Sequence, residues 1–220
     1  MRLHENLTVP DYQVPDPTSF REQFRKPTGF MGKVAAFLMA VGNAPANRLA
    51  IAALNLKPAD RVLEIGFGHG RTLERAAALA PQGFAAGVDP SETMVAQVEH
   101  RNADRIHAGR MELKLGTVSH IPYPDAHFDK VLSVNTIYFW PDHHNDAKEI
   151  RRVLKDGGLL VLGFRVLELE GPVRWSPGEG MPYFFASDAR RILENAGFRD
   201  VSAQVKKTPL MWVAIMTAHK

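Results

Sequence analysis

Short apolar runs alternate with stretches of helical spacing through the middle of the chain. Arg61-Val62-Leu63-Glu64-Ile65 is rich in branched side chains and closed by Gly66, the mark of a buried strand. Arg71 to Leu79 then has helical spacing, and Phe84 to Val88 reads as a second strand ending at Asp89. Ser91 stands just before an apolar-periodic run, so it is expected to cap a helix reaching about Asn102. Met111 to Leu115 and Lys130 to Val134 are a third and a fourth strand, and Asp142 to Leu154 is helical. Asp156-Gly157-Gly158 turns the chain into a fifth strand, Leu159 to Phe164. Ser187 is expected to cap a last helix that stops at Gly197. Val201 to Val205 and Leu210 to Met216 close the chain as an antiparallel pair, because Lys206 to Pro209 is too short for a crossover.

The flanks read differently. Residues 1–29 carry Pro10, Pro15, Pro17 and Pro27 among polar residues, which disfavours a stable helix before about Ser19. Phe30 to Leu56 is helical in pattern, with a break at Asn43 to Pro45. Residues 165–186 hold Gly171, Pro172, Pro177, Gly178, Gly180 and Pro182 and read as irregular. The chain therefore divides into an arm with a helical cap, 1–57, and one α/β unit, 58–220, in which 165–186 forms part of a lid. Regular alternation of strand and helix from residue 61 to about 165 predicts a mostly parallel sheet covered on both faces. Such sheets take ligands beyond the C-terminal ends of their strands, which directs attention to residues 66–70, 89–94, 116–118 and 135–140.

Composition removes several function classes. The chain has 220 residues, 45% hydrophobic and 23% charged, in the range of one globular domain. It has no cysteine, which excludes a disulfide scaffold, a thiolate-ligated metal and a cysteine nucleophile. The net charge of +3 is spread over pairs such as Arg25-Lys26 and Arg151-Arg152 rather than a stripe, so no nucleic-acid partner is expected. No run reaches the about 18 apolar residues of a membrane span, and Met1 to Asp16 lacks the apolar region of a signal peptide. The expectation is a cytoplasmic protein without stable membrane insertion, monomeric or homodimeric. His120, His127, His143 and His144 match no zinc spacing, so no metal is expected.

The chemistry centres on Glu64-Ile65-Gly66-Phe67-Gly68-His69-Gly70, where three glycines alternate between a strand and a helix. Glycines there permit a sharp turn and let a ligand touch the main chain, while the helix that follows offers free N–H groups. Asp89 ends the next strand, where a carboxylate can accept two hydrogen bonds from a ribose diol. A dinucleotide loop needs a third glycine one residue later, where this chain has Arg71, and Glu64 would repel a pyrophosphate. A cationic nucleoside cofactor suits this loop better, and S-adenosylmethionine carries both a sulfonium and an ammonium.

The segments "RVLEIGFGHG", "GVDPSETM", "IPYPDAHFDKVLSVNTIYFW" and "EIRRVLKDGGLLVLGF" occur in that order across residues 60–165. Together they resemble the class I S-adenosylmethionine-dependent methyltransferases of the small-molecule type. That resemblance implies a Rossmann-like three-layer sandwich whose seven-stranded sheet is mostly parallel with a reversed last strand. It also implies S-adenosylmethionine as cofactor and S-adenosylhomocysteine as product. Glu64, Gly66, Phe67, Gly68, His69 and Gly70 would hold the methionine part, and Asp89 the ribose. Pro90 and Met94 would flank the adenine, Gly116, Thr117 and Val118 would meet its edge, and Asn135 would line the transfer site.

Transfer from a sulfonium is an in-line displacement, which requires a placed nucleophile and no universal catalytic side chain. The [D/N]-P-P-[Y/F] pattern of exocyclic-amine methylation is absent, since Asn135-Thr136-Ile137-Tyr138 stands in its place. Candidates for contact with a small-molecule acceptor are Tyr138, Trp140, His143 and His144. Tyr12, Phe20, Phe24 and Phe30 could join from the arm, and Trp175, Tyr183, Phe184 and Phe185 from the lid. Tyr138, His143 and His144 are the catalytic candidates, either histidine serving as general base if one is used. The aromatics suit an aromatic or apolar small molecule. Two alternatives stay open. One is a lipid or quinone-precursor acceptor at a membrane surface, suggested by Phe24-Arg25-Lys26 to Phe30-Met31. The other is a non-catalytic cofactor-binding module. A nicotinamide-dependent oxidoreductase is disfavoured by Arg71 and by the lack of a Tyr-x-x-x-Lys pair.

Overall fold

The computed structural model describes residues 44–166, 184–208 and 212–220. Its strands are β1 (Arg61–Ile65), β2 (Phe84–Asp89), β3 (Met111–Leu115), β4 (Phe128–Val134), β5 (Leu154–Val166), β6 (Arg199–Lys207) and β7 (Trp212–His219). The helices are α1 (44–54), α2 (Arg71–Leu79), α3 (Glu92–Arg101), α4 (Ala103–His107), α5 (His143–Val153) and α6 (Ala186–Asn195), with one 3-10 turn at Ile137–Phe139. The arm before residue 44 and most of the expected lid, residues 167–183, lie outside the described residues, with the aromatics assigned to them at 12, 20, 24, 30, 175 and 183.

The strands form one sheet in the order β3-β2-β1-β4-β5-β7-β6. β1 to β5 run parallel, and β7 is antiparallel to both β5 and β6, as the short last connection requires. The strand alternation sorts the core into two layers. Leu63 and Ile65 pack on one face with Ile150 of α5 and Leu193 of α6. Val62 packs on the other with Leu54 of α1, Leu73 of α2 and Val98 of α3. A period of two in each strand and an apolar stripe on each helix suffice for this sandwich. Glu64 shares a face with Val62 and is 4% exposed, so one carboxylate sits inside an otherwise apolar layer.

Two local expectations change. Ser187 does not cap α6, because the chain is already helical at Ala186 and the cap position is Phe185 in extended conformation, without a side-chain hydrogen bond. The Asp156-Gly157-Gly158 turn lies within β5: Phe128 pairs with Leu154, and pairing resumes from Lys130 to Leu159 past an irregularity at which Gly157 takes φ 74°. Ser91 does cap α3, accepting from the Met94 N–H at 3.4 Å. None of the described helices is long and apolar enough to cross a membrane.

Candidate functional site

After β1 the chain continues to β2 and β3 on one side of the sheet, and β4 and β5 then build the other. The loops after β1 and β4 therefore part, which opens a crevice at the strand tips. A cavity of about 410 Å³ fills it. Its wall takes residues 64–72 around the end of β1, Val88 to Pro90 around the end of β2, Gly116 to Val118 after β3, and Val134 to Thr136 around the end of β4. Every cofactor candidate lines it: Glu64, Gly66, Phe67, Gly68, His69, Gly70, Asp89, Pro90, Met94, Gly116, Thr117, Val118 and Asn135.

The loop after β1 is built for close approach. Gly66, Gly68 and Gly70 all take left-handed φ, at 71°, 50° and 73°. A Cβ on Gly66 would lie 2.5 Å from the Thr136 methyl, so only glycine fits at this point beside Thr136. A Cβ on Gly68 would enter open space, leaving its main chain bare to the cavity. Gly70 is the cap of α2 and brings no side-chain hydrogen bond, and in the first turn of that helix the Leu73 N–H is taken by Glu64. Arg101 of α3 clasps the loop from outside, donating to the His69 carbonyl while it binds Glu74 at 2.8 Å.

Asp89 holds the same loop from inside. One carboxylate oxygen accepts from the Gly68 N–H at 2.8 Å and the other from the Ser91 N–H at 2.9 Å. Burial raises its carboxyl above the ordinary range, against the pull of those two donors. Glu64 is pushed well above that range by burial and then by repulsion from Asp89, and a bond from the Leu73 N–H only partly offsets this. Its Oε2 has no partner. Asn135 takes φ 57°, its N–H bonded to the Gly163 carbonyl at 2.7 Å, and neither polar atom of its carboxamide has a partner. The floor thus presents two carboxylates, one with a free buried oxygen, beside an unsatisfied amide. Such groups are costly unless a ligand completes them.

The catalytic candidates stand elsewhere. Tyr138 is buried in the core, and its hydroxyl accepts from the Arg165 N–H and donates to the Arg165 carbonyl at 3.4 Å. The His143 ring lies 5.2 Å from that of Phe184, tilted by 30°, and its Nε2 lies 3.0 Å from the Ile137 carbonyl. His144 is exposed at the start of α5. None of the three lines the cavity. The 3-10 turn Ile137–Phe139 explains this, since it rolls Tyr138 inward and brings Phe139, Trp140 and Pro141 to the wall. Phe185 is the cap residue of α6 and is not part of the wall.

Sequence reasoning missed Asn47, Arg48 and Ile51 on α1 and Arg71, Thr72 and Arg75 on α2, all of which line the cavity. On α1 the i, i+3, i+4, i+7 spacing of Ala44, Asn47, Arg48 and Ile51 was a usable signal of one shared face. Among the described residues no cluster of His, Asp and Glu could hold a metal ion.

Comparison with known proteins agrees with this geometry. A family model described as a methyltransferase domain matches residues 63–162. The chain is 28% identical over 190 residues to the uncharacterized methyltransferase YdaC of Bacillus subtilis, covering 85% of this chain and 98% of that protein. It is 30% identical over 161 residues to the demethylmenaquinone methyltransferase of Symbiobacterium thermophilum, covering 70% of this chain and 63% of the other. Its fold is that of a SAM-dependent methyltransferase from Aquifex aeolicus, with a TM-score of 0.64 at 20% identity over 79% of this chain and 89% of that one.

Proposed function

We infer that this chain, which belongs to the class I S-adenosylmethionine-dependent methyltransferases, moves the sulfonium methyl group to an oxygen, nitrogen or carbon of a small molecule with an aromatic or apolar body. The observation that carries the site assignment is the pairing of buried, incompletely satisfied groups with bare backbone: Glu64 Oε2, the Asn135 amide and the open face of Gly68. These fit a ligand that is cationic at one point and rich in hydrogen-bonding groups elsewhere.

When bound, the donor supplies an already activated methyl group on a sulfonium. The residues of this chain position and select. Glu64 gives negative charge opposite the cationic part, inside a layer where water does not screen it. Asp89 receives the ribose hydroxyls while keeping its backbone donors, since an ionised carboxylate can accept about four hydrogen bonds. Met94, 2% exposed, and Pro90 flank the adenine, and Gly116 to Val118 meet its edge. Asn135 stands beside the transfer site with one donor and one acceptor to orient the incoming nucleophile. Apart from His69, no histidine among the described residues lines the cavity.

Calorimetric titration of S-adenosylhomocysteine tests the assignment. The native chain should bind one equivalent. Asp89→Ala should bind about 10- to 150-fold more weakly, the equivalent of roughly 1.5–3 kcal/mol for charge-assisted hydrogen bonds. Unchanged affinity in that variant would remove the ribose role. A quinone-precursor acceptor is the second reading, favoured by the similarity to a demethylmenaquinone methyltransferase.

A further inference from the structure

We propose that the methyl acceptor carries an anionic group, a carboxylate or phosphate monoester, received at the cavity mouth by Arg48, Arg71 and Arg75. This rests on the reading that the cavity floor holds the donor. Arg48 comes from α1 and the other two, one helical turn apart, from α2, so two elements bring cations to one opening. All three are exposed, and none makes a hydrogen bond or ion pair among the described residues.

The other described arginines behave differently. Arg61 binds the His127 carbonyl, Arg101 and Arg152 bind carboxylates, and Arg105 and Arg110 hold Asn102 and the Pro81 carbonyl. Arg151, Arg190, Arg191 and Arg199 are likewise bonded, and Arg165 also has a partner. The arginines without partners are the ones that face the cavity. Charge accounting gives them a use. The donor brings a sulfonium, an ammonium and one carboxylate, and the acids Glu64 and Asp89 lie on the floor. One arginine answers the donor's carboxylate, and two are left facing the acceptor. Guanidinium forks suit carboxylate and phosphate oxygens. Ile51, Phe139 and Trp140 give the same cavity an apolar wall, so the acceptor is an aromatic or apolar acid.

The test uses the full chain saturated with S-adenosylhomocysteine and three probes: benzoate, phenyl phosphate and uncharged benzyl alcohol. Binding is measured calorimetrically for the native chain, Arg48→Gln, Arg71→Gln and Arg75→Gln. An anionic probe should bind at least about tenfold more tightly than benzyl alcohol. At least two of the variants should weaken it about tenfold while their S-adenosylhomocysteine affinity stays within about twofold of native. Whether benzoate or phenyl phosphate binds better sorts carboxylate from phosphate, and either supports the proposal. Benzyl alcohol binding as well as the anions, anions binding every variant equally, or no anion binding at millimolar concentration would overturn it in favour of a neutral acceptor such as a quinone ring. Variants that lose S-adenosylhomocysteine instead would confine the arginines to the donor and also overturn it. If the native chain fails to bind S-adenosylhomocysteine, the donor site itself is wrong and the acceptor proposal falls with it.

Discussion

Glu64 concentrates the tension between folding and binding in one side chain. Its carboxyl titrates well above the ordinary range because it is buried and faces Asp89. An acid whose value is raised on folding takes up protons more readily in the folded chain, so stability falls as pH rises from about 4 through the raised value. Glu64→Gln keeps an acceptor for the Leu73 N–H and removes the charge. It should raise the melting temperature of the free chain at pH 7 by a few degrees, a gain of roughly 1–2 kcal/mol, with the difference vanishing near pH 4. The same variant should bind S-adenosylmethionine about tenfold more weakly, since the cation loses its counter-charge. Melting curves against pH, paired with titrations, check both signs. A variant less stable than native at pH 7 would show that the carboxylate is satisfied in the free chain.

Among the elements, α5 secures the segment that follows Val118. Arg152 donates to the Ile121 and Tyr123 carbonyls, both at 2.9 Å, and to Asp125 at 2.7 Å. It also binds Glu149, which in turn accepts from the Ile121 N–H at 2.8 Å. That bonding, Arg152 foremost, holds the Glu149 carboxyl below its ordinary value. The stabilisation is therefore present at neutral pH and lost as pH falls through the depressed value. Arg152→Met should cost about 1–2 kcal/mol at pH 7 and progressively less below about pH 4, read from denaturant melts at both pH values. The glycine loop, the strand-end position of Asp89 and the parallel sheet with its reversed last strand were legible in the sequence because each is fixed locally, by a turn that needs glycine, a strand end or a short connection. The cavity wall was less so. Tyr138 follows β4 as a transfer-site residue would, yet the 3-10 turn at Ile137–Phe139 folds it into the core, and no apolar periodicity encodes that roll. Arg48 and Arg75 come to one cavity wall only because α1 and α2 both border the strand tips, a long-range arrangement that is not fixed locally.

The whole molecule couples these scales. The cavity is walled by residues around four strand ends and by three helices, so filling it should stiffen the entire C-terminal edge of the sheet. Saturation with S-adenosylhomocysteine at 100 times its dissociation constant should add about 2.7 kcal/mol, a rise of roughly 5–10 °C in the melting temperature. Circular dichroism melts with and without ligand measure this, and a rise retained in full by Asp89→Ala at the same concentration would place the ligand elsewhere.

The crystal structure of the chain with S-adenosylhomocysteine tests the central claim most directly. The ribose hydroxyls should lie about 2.6–3.0 Å from the Asp89 carboxylate. The adenine should rest between Pro90, Met94 and the Gly116–Val118 edge, and the sulfur should face the space beside Asn135. A nucleoside bound away from Asp89, or a sulfur turned from that space, would contradict it.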